Sequence, residues 1–196
     1  LLKGAVHNLA RFGNTVTRGL SKLSAEVSLK KPDIVLLEFG GNDCDFNWPE
    51  VALDPRGDHR PHTDYARFRE LLAREINALQ RAGVSPVLMT LPPIDAERYL
   101  GWISGGAAAA RENILKWLGS VTKLYWWQER YNAAVVDIAE ETGAKLIDIR
   151  GAFLKRPDFQ TLLCADGIHP NAAGHRLIAD GIMAYIKPRC PFLLKA

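Results

Sequence analysis

Residues 33–43 read DIVLLEFGGND, and this stretch decides the fold. Ile34, Val35, Leu36, Leu37 and Phe39 form a nearly continuous apolar run. A strand with one face in water would alternate apolar and polar residues, so a run of this kind predicts a parallel strand covered on both faces. Lys31-Pro32 punctuates its start and Gly40-Gly41 its end. Glu38 interrupts the run, and the stretch closes on Asn42 and Asp43, polar side chains delivered to the end of a buried strand.

The flanking sequence repeats the pattern. AVHNLA (5–10), SPVLMTLPP (85–93) and KLIDIRGAF (145–153) read as further strands. TVTRGLSKLSAEVSLK (15–30) reads as a helix. So does DYARFRELLAREINALQRAG (64–83), with Phe68, Leu71, Leu72, Ile76 and Leu79 at the helical period and a stop at Gly83. A long helical stretch follows, ending in 126–144, and a last helix runs from Asn171 to about Ile186. Strands separated by helices predict parallel βαβ units in a three-layer α/β/α sandwich. No repeat, low-complexity tract or linker divides residues 1–196, so the chain is expected to be one domain.

Composition narrows the function. The net charge of +3 is small, and the basic residues are scattered rather than clustered, so no nucleic-acid footprint is present. No apolar run reaches the roughly 18 residues a membrane span needs. Three dispersed cysteines, Cys44, Cys164 and Cys190, are too few for a disulfide framework or a zinc site. Reduced thiols fit a cytoplasmic protein. The chain does not begin with Met, however, and a leader ahead of Leu1 would make it a secreted one.

In a parallel sheet, ligands bind beyond the carboxyl ends of the strands. The polar, glycine-bearing chemistry gathers there: RFGNT follows 5–10, GGNDCD follows 33–40, PPID follows 85–91, and CADGIHPNAAGH comes after 145–153. DGIHPN (166–171) sets Asp166 three residues before His169. That spacing lets a carboxylate accept a hydrogen bond from imidazole Nδ1–H and leave Nε2 as a general base, with Asn171 capping the next helix. Asn42 is a neutral donor able to stabilise an oxyanion, and the backbone N–H of Gly13 is a second. Taken singly, each signal has an ordinary reading: a capping turn, a Gly-Gly-Asn-Asp turn, a turn glycine.

Together, NLARFGNTVTRGL at Gly13, FGGND at Asn42 and DGIHP at Asp166 and His169 resemble the blocks of the SGNH (GDSL-type) esterase/lipase superfamily. The resemblance spans residues 5 to about 186. It implies a flavodoxin-like parallel sheet of strand order 2-1-3-4-5 and hydrolysis of carboxylic esters, small acyl or carbohydrate-linked, through an acyl-serine. His169 would be the base, Asp166 its orienter, and Gly13 N–H with Asn42 the oxyanion hole. No metal and no organic cofactor are implied, and the expected partner is a small-molecule ester.

The family's first block, Gly-Asp-Ser, occurs nowhere in the chain. Ser21, Ser24, Ser28, Ser85, Ser104 and Ser120 read as structural or surface residues, so the nucleophile is expected upstream of Leu1, on a first strand outside residues 1–196. If that segment lacks serine, the expectation becomes a non-catalytic acyl- or sugar-binding member. Within the enzyme class, a thioesterase or lysophospholipase is the alternative.

Asp43, Phe46, Trp48 and Trp102 are candidates for lining the substrate, although Asp43 and Asp45 also read as braces of the turn. Trp102, Trp117, Trp126 and Trp127 lie within 95–130, where most read as core anchors of a helical pair. The excursion 44–63 carries His59 and His62 without a third metal ligand in register.

Overall fold

The computed structural model describes residues 3–194. Three parallel strands, β1 (Ile34–Leu37), β2 (Ser85–Met89) and β3 (Lys145–Ile147), form a sheet in that order, with Leu37 opposite Leu88 and Met89 opposite Ile147. Around it run α1 (Val16–Leu20), α2 (Leu23–Lys30), α3 (Trp48–Leu53), α4 (Tyr65–Arg81), α5 (Ala96–Ile103), α6 (Ala108–Leu118), α7 (Thr122–Thr142), α8 (Ile149–Leu154) and α9 (Ala172–Arg189).

The sheet divides the apolar residues between two faces. Leu37 and Leu88 pack with Phe68, Leu72 and Ile76 of α4, Tyr131, Val135 and Ile138 of α7, and Val16 and Leu23 of the first two helices. Val87, Met89 and Ile147 pack on the other face with Ile149 and Phe153 of α8 and against Leu177, Ile178 and Ile182 of α9. Side chains alternate across a strand, so a continuous apolar strand serves both cores at once. Each fully buried large residue contributes about 1.5–3 kcal/mol of transfer free energy. The α/β/α sandwich with a flanked parallel sheet is therefore as expected.

Several boundaries are not. Residues 5–10 were expected to form a strand; they run exposed and without ladder partners. A strand needs a ladder partner for its backbone groups, and none among the described residues pairs with 5–10. The expected strand 145–153 stops at Ile147, because the Asp148 carboxylate accepts the Gly151 N–H at 2.8 Å and caps α8. The single helix expected over 15–30 breaks into α1 and α2. The last helix extends to Arg189, and Asn171 caps it as expected, accepting from Ala173 and Gly174 N–H at 3.0 and 3.1 Å.

A third cluster sits beyond the carboxyl ends of the strands. Phe46, Trp48 and Val51 pack there with Ile94, Tyr99, Leu100, Ile114, Leu118 and Leu124. Of the aromatic side chains in 95–130, Tyr99 is buried and Trp117 and Trp127 pack against this cluster, whereas Trp102, Tyr125 and Trp126 are exposed, so the expectation that most are core anchors holds only in part. Trp117 meets Phe46 edge-on at 5.0 Å between centroids, within the range where edge-to-face pairs are favourable.

Candidate active site

β1 ends at Leu37 because the chain turns at Gly40, whose φ of +128° is left to glycine, and a Cβ there would sit 3.0 Å from Leu91 Cδ1. Gly41 meets no such demand. Asp43 fixes the turn: it is fully buried, and its two oxygens accept the N–H groups of Gly40 at 3.1 Å and of Val16 at 2.9 Å. Burial raises its pKa above the ordinary carboxylate value, against the pull of the Thr63 hydroxyl and of those backbone bonds. Asp43 is therefore a brace between β1 and α1, not part of the cavity wall.

The same turn presents Asn42. Its side-chain amide donates to the Asn14 carbonyl at 3.0 Å, and its own carbonyl is 3.0 Å from His62 Nδ1. One amide proton is spent on Asn14 and the second is free of protein acceptors among the described residues. Gly13, next to Asn14, has φ of +72°, and its N–H makes no hydrogen bond among the described residues. Phe12 brings this loop to the histidine: its ring lies 5.8 Å from the His169 ring at 27°.

Asp166 and His169 meet as their spacing predicts. Asp166 Oδ2 is 2.7 Å from His169 Nδ1, while Oδ1 accepts the N–H groups of Ile168 and His169, each at 3.0 Å. Partial burial alone would raise the Asp166 pKa; the two backbone N–H bonds and the imidazole outweigh it and hold the carboxyl below its ordinary value. Gly167, at φ +78°, packs the loop onto α5, where a Cβ would lie 2.8 Å from Asp95 O and 2.9 Å from Tyr99 N.

Asn42 and His169 border one cavity of about 390 Å³. Asn42, His169 and Glu38 line it with Asn14, and Phe46, Trp48, Leu91, Ile94, Tyr99, Leu124 and Trp127 form its apolar walls. Phe46 and Trp48 therefore lie where substrate lining was expected. Trp102 does not: it is 61% exposed on the outer face of α5 and borders a shallow depression with Arg98 and Ala165. No serine is among the described residues lining the cavity. Ser104 is buried in its own helix end, bonded to Gly101 O at 3.0 Å, and Ser85 sits at the opposite end of β2.

Glu38, which sequence alone left without a role, lines the cavity. Solvent reaches its side chain, yet the surrounding protein solvates a charge poorly and raises its pKa, with the nearby His169 pulling the other way.

Sequence reasoning missed the supports. His62 N–H bonds Asp45 O at 2.8 Å, Thr63 N–H bonds Asp43 O at 3.0 Å, and Tyr131 O–H bonds Thr63 O at 2.6 Å, so the excursion 44–63 is stitched back onto the Asn42 turn. His59 instead meets Asp54 O at 2.7 Å and the edge of Trp117. On the far wall, Gln128 donates to Pro92 O at 2.7 Å and Arg150 donates to Gln128 Oε1 at 3.0 Å. Only contacts distant in sequence reveal these.

The arrangement places the His169 imidazole, held by Asp166, and the Asn42 amide at one largely apolar cavity. Among solved structures, the chain resembles a lipase/acylhydrolase from Enterococcus faecalis, with 24% identity, TM-score 0.63 and coverage of 90% of this chain and 72% of that one. It also resembles the acetylxylan esterase Axe2 from Geobacillus stearothermophilus, with 21% identity, TM-score 0.61 and coverage of 89% and 68%. Both likenesses concern the fold. Among curated proteins, it is 26% identical over 161 residues to the GDSL esterase/lipase CPRD49 of Arabidopsis thaliana, covering 80% of this chain. It is 26% identical over 182 residues to the uncharacterized lipoprotein YqeF of Bacillus subtilis, covering 87% of this chain and 68% of that protein. The chain spans 55% of the length of the Arabidopsis protein. The model of the GDSL-like lipase/acylhydrolase family matches residues 1–177, and the chain belongs to that family.

Proposed function

We propose that this protein hydrolyses carboxylic esters of small acyl groups, including carbohydrate-linked ones, through an acyl-serine intermediate. The observation that carries the reading is the Asp166–His169 pair, 2.7 Å apart, with His169 bordering the same cavity as Asn42. Family membership supports it. The solved acetylxylan esterase of like fold brings acetylated carbohydrate into the range of substrates.

In this mechanism a serine Oγ attacks the ester carbonyl while His169 Nε2 takes its proton. Asp166 holds the Nδ1–H tautomer and stabilises the imidazolium. The carbonyl oxygen gains negative charge and accepts from Asn42 Nδ2–H and Gly13 N–H. His169 returns the proton to the leaving alkoxide, and water then repeats the sequence on the acyl-serine. The serine is that of the family's Gly-Asp-Ser block, carried on chain ahead of Leu1. A thioesterase would employ the same parts, and relative rates on oxygen and sulfur esters separate the two.

The test is active-site labelling of the full-length protein with a fluorophosphonate, followed by peptide mapping. The reading expects one labelled serine, upstream of Leu1, and no labelling in His169→Ala. Absence of label in the wild type, or label on a serine within residues 1–196, would overturn it.

A further inference from the structure

Asp45 borders the same cavity as His169 and Asn42. Its Oδ1 accepts the Tyr99 O–H at 2.6 Å and the Trp48 indole N–H at 2.7 Å. Those donors belong to buried side chains, 3.0 Å apart at their polar atoms, whose rings meet edge to face at 86°. Among the described residues, no Lys or Arg pairs with Asp45, and its Oδ2 makes no hydrogen bond. A brace of the turn would look different. Asp43 spends both oxygens on backbone N–H groups, whereas Asp45 is itself held in place and keeps one oxygen free.

A carboxylate held by two donors keeps its direction, so the free oxygen is a preorganised acceptor. Phe46, Trp48, Trp127, Ile94 and Leu124 line the cavity that Asp45 borders. A hydroxyl-rich group suits such a wall, because its O–H donates to the carboxylate while its C–H faces pack on the rings. A long acyl chain does not suit it, since it would strip water from the carboxylate and offer no donor in return. A quaternary ammonium would need ring faces turned toward it. Trp48 and Tyr99 turn their polar edges to Asp45 instead.

We propose that Asp45 is a specificity residue that accepts a hydrogen bond from a hydroxyl of the substrate's alcohol part, so that the preferred substrate is a short-chain ester of a sugar or other polyol. This rests on the hydrolase reading above.

The test compares the full-length wild type with Asp45→Asn on a monoacetylated methyl glycoside bearing free hydroxyls, on p-nitrophenyl acetate and on acetylcholine. Asparagine retains an acceptor for Tyr99 and Trp48, and retained activity on p-nitrophenyl acetate shows an intact fold. The expected result is a loss of at least about tenfold in kcat/KM on the glycoside, carried mainly by KM, with less than about threefold change on p-nitrophenyl acetate. Equal changes on both esters, no change on either, or preference for acetylcholine would overturn the assignment. If the wild type turns over none of them, the hydrolase reading fails. Asp45 is then judged by calorimetric binding of the free methyl glycoside: weakening of about tenfold or more in Asp45→Asn supports its role, and equal binding removes it.

Discussion

The Asn42 side-chain amide donates to the Asn14 carbonyl at 3.0 Å, joining two turns 28 residues apart in sequence. The bond has a consequence for chemistry. It fixes the orientation of an amide that borders the same cavity as His169, so that, in the proposed mechanism, its remaining proton needs no rotamer search when charge develops.

Replacing Asn42 with Ala is therefore expected to lower kcat by about 10²–10³-fold, with little change in KM, because an oxyanion donor acts chiefly in the transition state. Steady-state kinetics of the full-length protein check this. A rise in KM at constant kcat would instead mark Asn42 as a ground-state contact.

Asp166→Asn should be more damaging, on the order of 10³–10⁴-fold in kcat, because the imidazole loses both its orienting acceptor and its charge partner. The direction of the Asp166 shift sets the pH window. A carboxyl held below its ordinary value contributes stability above that value and loses it as pH falls through the lowered one. Acid unfolding of the wild type should accordingly show a contribution below the ordinary Asp range that Asp166→Asn removes.

Glu38 works in the opposite sense. Its raised pKa means that the folded state binds the proton more tightly than the unfolded chain does. Its contribution is fully present below the unfolded value and is lost as pH rises through the folded one. Glu38→Gln should thus be more stable than wild type at neutral pH, with the gain vanishing below the ordinary Glu range. Denaturant titrations at several pH values check this, and a gain independent of pH would contradict it.

Gly167→Ala should destabilise the protein by about 1–3 kcal/mol, since alanine is strained at φ +78° and its Cβ would press on the backbone of α5. It should also lower kcat, because Asp166 and His169 share that loop. Gly41→Ala, with no neighbour within 4 Å of a Cβ and no positive φ, is the control that should change little.

The sequence was most legible where one local signal settled the matter. The apolar run at 34–37, the helical period of 65–81 and the three-residue Asp166–His169 spacing needed nothing from elsewhere in the chain. Residues 5–10 misled because strand propensity does not supply a ladder partner. The acceptor site at Asp45 was invisible because it depends on Tyr99, 54 residues away, and an aspartate in a polar turn looks like every other. Trp102 misled for the complementary reason. An aromatic near a strand end has two helix faces to choose from, and the structure turns this one outward.

The role of His169 as general base of an ester hydrolase rests on one substitution. Its most direct measurement is the rate of p-nitrophenyl acetate hydrolysis by the full-length protein, with and without His169→Ala. The expected result is turnover by the wild type and a loss of about 10³-fold or more in the variant, with the fold intact by circular dichroism. Turnover unchanged by the substitution would contradict it.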